Sequence, residues 1–154
     1  MAKAKGEKTI ADNRRARHDY HLGDRVEAGV VLTGTEVKAL RESKTSLQQA
    51  YADVRDGEAW LHGVHIAEYR QGNRANHDPD RPRKLLLHRH EIDRLYGQVR
   101  ERGVTVVPTR LYFKDGRVKV ELALARGKEL HDKRRDIATR DARRQIEREL
   151  KSRG

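Results

Sequence analysis

The sequence has no cysteine among its 154 residues, which excludes disulfides, thiolate nucleophiles and zinc sites built on sulfur. It has no apolar run long enough to cross a bilayer, and residues 1–6 lack the apolar segment of a secretory signal. No basic segment carries the strong apolar face that binding to an anionic membrane surface requires. We therefore expect a cytoplasmic protein with no membrane partner.

Sequence signatures of catalysis and of metal binding are also missing. The chain lacks a nucleophile elbow, a P-loop and a dinucleotide-binding fingerprint. Its eight histidines include His62 with His65 and His88 with His90, but at a strand end and a helix start we expect these spacings to hold the rings apart. We expect no enzymatic activity, no metal and no cofactor, although a basic ribonuclease stays open as an alternative.

Positive charge is what the chain has in excess. Lys and Arg number 35 against 24 Asp and Glu, which gives a net charge of +11, and only 35% of the residues are hydrophobic. The excess is concentrated at both ends, because residues 1–18 carry a surplus of four positive charges and residues 126–154 a surplus of five. This distribution is typical of proteins that bind nucleic acid.

The charge pattern divides the chain into three parts. We predict a basic, flexible arm over residues 1–17, a folded core over residues 18–125 and a basic tail over residues 126–154. The tail has too few apolar residues to offset the entropy of ordering, so we expect it to be disordered alone and ordered on a polyanion. Its apolar residues recur every fourth position, which suits a helix that forms on binding: Ala138, Ala142, Ile146 and Leu150.

The core reads as a series of short strands. Near-continuous apolar residues predict an extended segment over 18–32, and the segment Thr33–Glu36 matches a capping box that begins a short helix. Asp-Gly pairs at 56–57 and 115–116 predict two hairpins, and apolar spacing predicts a helix over about 89–102. Five or six strands with two or three short flanking helices indicate a mainly β protein, a small barrel of the oligonucleotide-binding (OB) type.

Three polar segments suit contact with RNA. The run Asn13–His18 offers an amide and guanidinium groups to phosphates and bases, unless it is a solvated arm. Glu36 can accept hydrogen bonds from exocyclic amines of bases, although the capping box alone also explains it. The loop Asn73–Arg83 precedes Lys84 and the apolar run Leu85–Leu87, a mix that suits unstacked RNA bases, with core burial as the competing interpretation of the leucines.

Longer motifs make the chain resemble the SmpB (SsrA-binding protein) family. The resemblance runs from about residue 9 to 144 and depends on several motifs in the same order: Ala11–Tyr20, Glu27–Arg41, Gly72-Asn73, Asn76–Pro79, Arg83–His88, Pro108, Leu111–Lys114, Gly127-Lys128 and His131–Arg134. It implies an OB-fold barrel with flanking helices. It also implies delivery of transfer-messenger RNA (tmRNA) to stalled bacterial ribosomes for trans-translation, so the expected partners are tmRNA and the ribosome.

The resemblance further implies which residues contact RNA. The family's barrel residues that grip the tRNA-like domain of tmRNA correspond here to Glu36, Leu86 and Lys119. Matching motif and chemistry adds Asn13, Arg14, Lys38, Asn73, Arg83 and Lys84. The family's tail enters the decoding centre and becomes helical in the empty mRNA channel, a role that maps to Lys128, His131, Asp132, Lys133 and Arg134. Further along the tail, phosphate neutralisation is expected from Arg140, Arg143, Arg144 and Arg148.

The sequence leaves two points open. Glu129 stands where a second cation is expected, and it lowers the positive charge where the tail leaves the core. The alternative function is that of a generic OB-fold, ribosome-associated RNA-binding protein, which should show an aromatic stacking face. Aromatic residues make up only 5% of the chain and are spread thinly.

We expect the protein to be a monomer.

Overall fold

The computed structural model describes residues 6–72, 76–100, 103–128 and 130–153, and for residues 130–136, 152 and 153 it describes the backbone alone. The strands in this part of the chain are Glu7–Asp12 (β1), Tyr20–Val30 (β2), Thr45–Ser46 (β3), Tyr51–Arg55 (β4), Glu58–His62 (β5), His65–Ile66 (β6), Arg83–Leu86 (β7), Val104–Lys114 (β8) and Arg117–Gly127 (β9). The helices are Arg14–Asp19 (α1), Gly34–Arg41 (α2), Arg89–Val99 (α3) and Leu130–Arg153 (α4).

Six of the described strands close into a barrel. Antiparallel pairing runs in the order β8-β4-β5-β7-β2-β9, and pairing of β9 with β8 completes the ring. β1 pairs with the second half of β8, beyond the point where β8 meets β4. Closure removes most exposed strand edges, which would otherwise be available for pairing with other chains. The predicted mainly β barrel with short flanking helices is confirmed.

The alternation of residues along the strands explains the barrel core. In β9, the side chains of Val118, Val120 and Leu122 are buried, while Lys119 and Glu121 between them are half-buried. Because successive residues of a strand point to opposite faces, the apolar set fills the interior and the charged set lines the outer wall. This places Lys119 on the outside of the barrel.

The predicted turns and the predicted helix cap are also confirmed. β4 and β5 are joined through Asp56-Gly57, and β8 and β9 through Asp115-Gly116. All four of these residues have positive φ angles, between 50° and 78°, as the tight turns of hairpins require. At the start of α2, the Thr33 hydroxyl accepts a hydrogen bond from the Glu36 backbone, and the Glu36 carboxylate accepts one from the Thr33 backbone.

Residues 7–17 are folded, which differs from the predicted flexible arm over 1–17. β1 adds a strand to β8, and Ile10 and Ala11 pack against the core. Ala16, on α1, is buried in a small apolar cluster with Val107 and Ala125. The high charge of this segment points to disorder, but these few apolar residues find partners on the barrel. Residues 1–5 lie outside the described residues.

The tail forms the helix α4 over Leu130–Arg153. The sequence predicts a tail that is disordered in the free protein and forms a helix over residues 137–150 when bound. The structure has the helical form, and α4 begins at Leu130, before the predicted start. Side chains from residue 137 to 151 are exposed. The conformation of the tail in the free protein and the division of the chain at residue 126 stay predictions. None of the helices within the described ranges is long and apolar enough to cross a membrane.

Candidate nucleic-acid interface

One row of residues crosses three adjacent strands of the barrel wall. Gly29, in the middle strand β2, pairs with Leu86 of β7 on one side and with Lys119 of β9 on the other. Directly paired residues project to the same face of a sheet, so Leu86 and Lys119 share a face. Leu86 is 55% exposed, which makes this the outer face. Lys84, two residues before Leu86 on the same strand, projects outward as well.

Gly29 keeps this row open at its centre. A Cβ atom at residue 29 would lie 3.2 Å from the Cβ of Leu86, so a larger residue would press on the leucine. Without a side chain there, a groove of about 530 Å³ runs between β7, β2 and β9 and the start of α3. Leu86, Lys84 and Lys119 line this groove together. The structure therefore brings three of the predicted RNA-binding residues to one surface, which we call the Leu86 groove.

The Leu86 groove carries charges of both signs. Lys84 Nζ lies 3.2 Å from a carboxylate oxygen of Glu58, and both side chains are a little under half exposed. Such an exposed pair contributes little, so a phosphate can replace Glu58 as the partner of Lys84. Glu27 accepts hydrogen bonds from the hydroxyl of Tyr112 and the ammonium of Lys114. The hydrogen bond from Tyr112, with help from Lys114, lowers the pKa of Glu27 although burial opposes it.

Glu36 lies inside the protein, and its predicted contact with a base edge stays a prediction. The side chain is fully buried, and its two oxygens accept hydrogen bonds from Arg83 Nε at 2.7 Å and from the Thr33 backbone at 2.8 Å. Arg81 also donates to both oxygens. Burial alone would raise the pKa of Glu36, but hydrogen bonds from Arg81, Thr33 and Arg83 lower it, so the carboxylate is charged. Glu36 therefore orients Arg81 and Arg83, and its own side chain is buried in the structure.

Arg83 is buried beside Glu36, and its predicted contact with RNA likewise stays a prediction. Its side chain is 1% exposed. Nη1 donates to the carbonyl of Val64 at 2.5 Å, and Nη2 donates to the carbonyl of Pro79 at 3.0 Å. Arg83 thus ties β7 to α2 and to the loop before β7. Its cation has the structural task of holding the wall that carries Lys84 and Leu86.

Asn13 is a third predicted contact that the structure places in the interior. The residue is 3% exposed, and its Oδ1 accepts from the Ala16 backbone at 3.1 Å as the N-cap of α1. Its Nδ2 donates to the carbonyls of Leu47 at 3.2 Å and Pro108 at 2.8 Å. These bonds use the amide, so Asn13 positions α1 on β8. The neighbouring Arg14 is exposed.

The remaining predicted residues lie elsewhere. Lys38 is exposed on α2, with its ammonium 5.6 Å from the centre of the Tyr69 ring. Lys128 Nζ donates to the carbonyl of Arg17 at 3.2 Å, which places the start of the tail beside α1. Asn73 and Glu129 lie outside the described residues, and for His131, Asp132, Lys133 and Arg134 only the helical backbone is described. The tail arginines Arg140, Arg143, Arg144 and Arg148 are exposed on α4.

Sequence reasoning missed two residues that shape this surface. Gly29 had a signal, because a glycine inside an apolar strand often marks a close approach of another group. Arg81 is 30% exposed and joins the buried Glu36 carboxylate to the carbonyl of Val31, at 3.3 Å, near the end of β2. The sequence feature that could have indicated Arg81 is its position two residues before Arg83, because two arginines at this spacing can both donate to one carboxylate.

Comparison with known proteins finds similarity along nearly the whole chain. The family model described as SmpB protein matches residues 10–152. The SsrA-binding protein of Syntrophomonas wolfei is 58% identical over 98% of this chain and 96% of its own length, and that of Thermobifida fusca is 60% identical over 98% and 94%. A solved structure described as "tmRNA-SmpB: a journey to the center of the bacterial ribosome" is 50% identical, with a TM-score of 0.67, over 78% of this chain and 85% of its own.

Proposed function

Because the chain belongs to the SmpB family, we propose that it binds SsrA RNA, the transfer-messenger RNA, and acts with it on the bacterial ribosome in trans-translation. The family match covers both the barrel and α4. The observation that carries the proposal is the row Leu86–Gly29–Lys119, which exposes an apolar side chain beside cations on one open face. A generic RNA-binding role is less favoured, since the relatives are named for SsrA binding.

The Leu86 groove suits a folded RNA in two ways. Lys84 and Lys119 are placed to neutralise phosphates, which supplies affinity without sequence preference. Leu86 offers an exposed apolar surface against which a sugar or an unstacked base can pack. Glu36, with Arg81 and Arg83, holds the wall behind these residues. The proposal therefore gives Glu36 a positioning task and assigns no catalytic step or cofactor to the chain.

The finer parts of the proposal concern where each end of the molecule acts. The tRNA-like domain of the RNA would bind the barrel through the Leu86 groove, and the basic tail would enter the decoding centre and the empty mRNA channel. The exposed arginines of α4 support this division, because they can neutralise ribosomal RNA phosphates along one helix. A ribosomal partner implies a cytoplasmic protein, and one copy of the chain suffices for the role.

Replacement of Lys119 tests the groove. Lys119→Ala should weaken binding of tmRNA and reduce the magnitude of the slope of log affinity against log salt by about 1, if the lysine neutralises one phosphate. The measurement is a filter-binding or fluorescence titration at several salt concentrations, with an elongator tRNA of similar fold as the competitor. A generic RNA-binding protein would bind both RNAs equally, so a preference for tmRNA separates the two functions.

The matched control is Arg117→Ala, which removes an exposed cation from the same strand that does not line the groove. It should leave the affinity close to that of the wild type. Equal behaviour of the two variants, with both folded, would mean that the Leu86 groove is not the binding face. If the wild-type protein binds the elongator tRNA as tightly as tmRNA, the proposed function is wrong.

A further inference from the structure

A polar cavity lies at the opposite end of the β4–β5 hairpin from the Leu86 groove. Glu58, beside the hairpin turn, lines the groove, whereas Tyr51 at the far end lines the cavity. The cavity measures about 500 Å³, and its wall includes Arg15 of α1 and the two glutamines Gln48 and Gln49. This volume lies within the range of small-molecule pockets, roughly 300–1,000 Å³. Guanidinium, amide and aromatic groups thus converge on one open site.

Tyr51 is held from behind by its cross-strand neighbour. Its ring stacks on His62, the residue directly paired with it on β5, with ring centroids 5.1 Å apart and planes inclined by 19°. His62 Nε2 lies 2.7 Å from Asp53 Oδ1, and Asp53 also accepts a hydrogen bond from Arg55 Nε at 3.0 Å. Tyr51 nevertheless stays 42% exposed. Its ring is therefore oriented in advance and still accessible, which lowers the entropy lost when a second ring stacks on it.

We propose that this cavity is a second RNA subsite, in which one unstacked base stacks on Tyr51. The base would lie on the open part of the tyrosine ring, with its polar edge within reach of Gln48 and Gln49, since stacking accepts any base and amides can both donate and accept. Arg15 would bind a neighbouring phosphate. It pairs now with Asp19 at 3.2 Å in an exposed i,i+4 pair, which is weak enough for a phosphate to displace.

The surroundings of the cavity favour RNA over a free metabolite. α1 carries Arg14, Arg15 and Arg17 on its exposed side, and the basic tail starts beside it, because the Lys128 backbone donates to the carbonyl of Asp19 at 2.9 Å. These cations lie outside the cavity wall, apart from Arg15, so they suit phosphates that continue beyond a single nucleotide. The inference rests on the proposed function, and the base can come from tmRNA or from the small ribosomal subunit.

Replacement of Tyr51 tests the subsite with the full-length protein. Tyr51→Ala should weaken binding to one of two RNA probes, the tRNA-like fragment of tmRNA or the isolated small ribosomal subunit, by roughly 5- to 150-fold, the range for loss of one stacked base. The probe that loses affinity identifies the source of the base. Tyr51→Phe keeps the ring and should bind both probes like the wild type.

The matched control is Tyr96→Ala, which removes a tyrosine that is 50% exposed on α3 and does not line the cavity. It should leave both affinities unchanged. A second measurement needs no variant at Tyr51: in tyrosine-labelled wild-type protein, the Tyr51 ring signals should move upfield when the responsive RNA binds.

The proposal is overturned if Tyr51→Ala binds both probes normally, if Tyr51→Phe loses as much affinity as Tyr51→Ala, or if the Tyr51 signals do not move. Failure of the proposed function has a different signature. In that case the wild-type protein would show no preference for tmRNA over tRNA, and Lys119→Ala would bind like the wild type, whatever the result at Tyr51.

Discussion

At the scale of single residues, Glu36 is the residue whose loss should matter most for stability. Glu36→Gln would leave the buried Arg83 guanidinium without a counter-charge, next to a half-buried Arg81. Removing one partner of a buried ion pair typically destabilises a protein by about 3–5 kcal/mol. We expect a loss of that order in the free energy of unfolding, measured by urea denaturation. The affinity of this variant for RNA should fall only to the extent that less protein is folded or that the Leu86 groove is distorted.

Glu58→Gln is the control. It breaks an ion pair with Lys84 in which both side chains are nearly half exposed, and such solvent-accessible pairs contribute little to stability. If Glu36→Gln keeps full stability at neutral pH yet loses affinity for tmRNA, then Glu36 acts on the RNA directly and does not serve to hold the two arginines.

Three carboxylates make the stability of the barrel depend on pH. Hydrogen bonds lower the pKa values of Glu27, Glu36 and Glu121 below the ordinary value of 4.5, against the opposing effect of burial. The unfolded chain then binds protons at a higher pH than the folded one. Their stabilising effect is therefore complete above about pH 4.5 and is lost as the pH falls toward the folded-state pKa values. Denaturation curves between neutral and acidic pH should show this loss, and Glu36→Gln should make it smaller.

Glu36 also shows what a sequence can and cannot predict at this scale. The capping box is predictable, because it depends on residues three positions apart. The burial of the carboxylate is not, because Arg81 and Arg83 lie more than 40 positions away, and only the closure of the barrel brings them to α2. The exposure of Leu86, in contrast, is predictable from local sequence. The residue lies between Leu85, which is buried, and a partly buried Leu87, and its exposure follows from the strand period.

At the scale of elements, Asn13 joins helix α1 to the barrel. Asn13→Ala would remove the N-cap of α1 and leave the carbonyls of Leu47 and Pro108 without this donor. Loss of an N-cap costs about 0.5–2 kcal/mol, and we expect the upper end of this range because two further bonds are lost. Thermal or urea unfolding measures the effect. Arg14→Ala, at the exposed neighbouring position, should leave stability unchanged. A stable Asn13→Ala variant with weakened RNA binding would instead support the direct contact with RNA that the sequence predicts.

Both elements of the N-terminal segment, β1 and α1, are absent from the sequence prediction, and β1 shows why. Its residues are half charged, and no hairpin partner lies nearby, since β1 pairs with β8 across about a hundred positions of the chain. The two hairpins and α2 are predictable because their signals are local turns and caps. Long-range pairing has no comparable signal in a single sequence. The pairings of β2 with β9 and of β4 with β8, which close the ring, could therefore be expected only from the predicted fold class.

Helix α4 gives the second prediction at this scale. Ala142 lies in the middle of α4, among exposed residues, and proline there removes a backbone donor and costs about 3 kcal/mol of helix stability. Ala142→Pro should impair tagging of nascent chains on stalled ribosomes without changing the affinity for free tmRNA. Ala142→Ser is the control, since serine keeps the backbone donor. Normal tagging by the proline variant would show that the tail acts as an extended basic strand.

At the scale of the whole molecule, the described surfaces lie at two ends of the barrel. The Leu86 groove lies by the turn of the β4–β5 hairpin, and the cavity at Tyr51 lies by the other end, near α1 and the start of the tail. A protein that joins one RNA to a ribosome needs two separate contact faces, because both partners must be bound at once. The charge distribution in the sequence predicts the tail as one such face. The position of the Leu86 groove is not predictable in this way, because it depends on the register in which β7 and β9 pair with β2.

The separation of faces predicts that RNA binding and ribosomal function can be divided by truncation. Removing the residues after Leu130 takes away a surplus of positive charge and exposed side chains, and it leaves every strand of the described barrel in place. The truncated protein should fold and bind tmRNA nearly as well as the full chain. Tagging of nascent chains should fail, because His131, Asp132, Lys133 and Arg134 are absent. A full-length triple alanine variant of Asp132, Lys133 and Arg134 should behave in the same way, which controls for chain length. Normal tagging by either protein would show that the barrel alone acts on the ribosome.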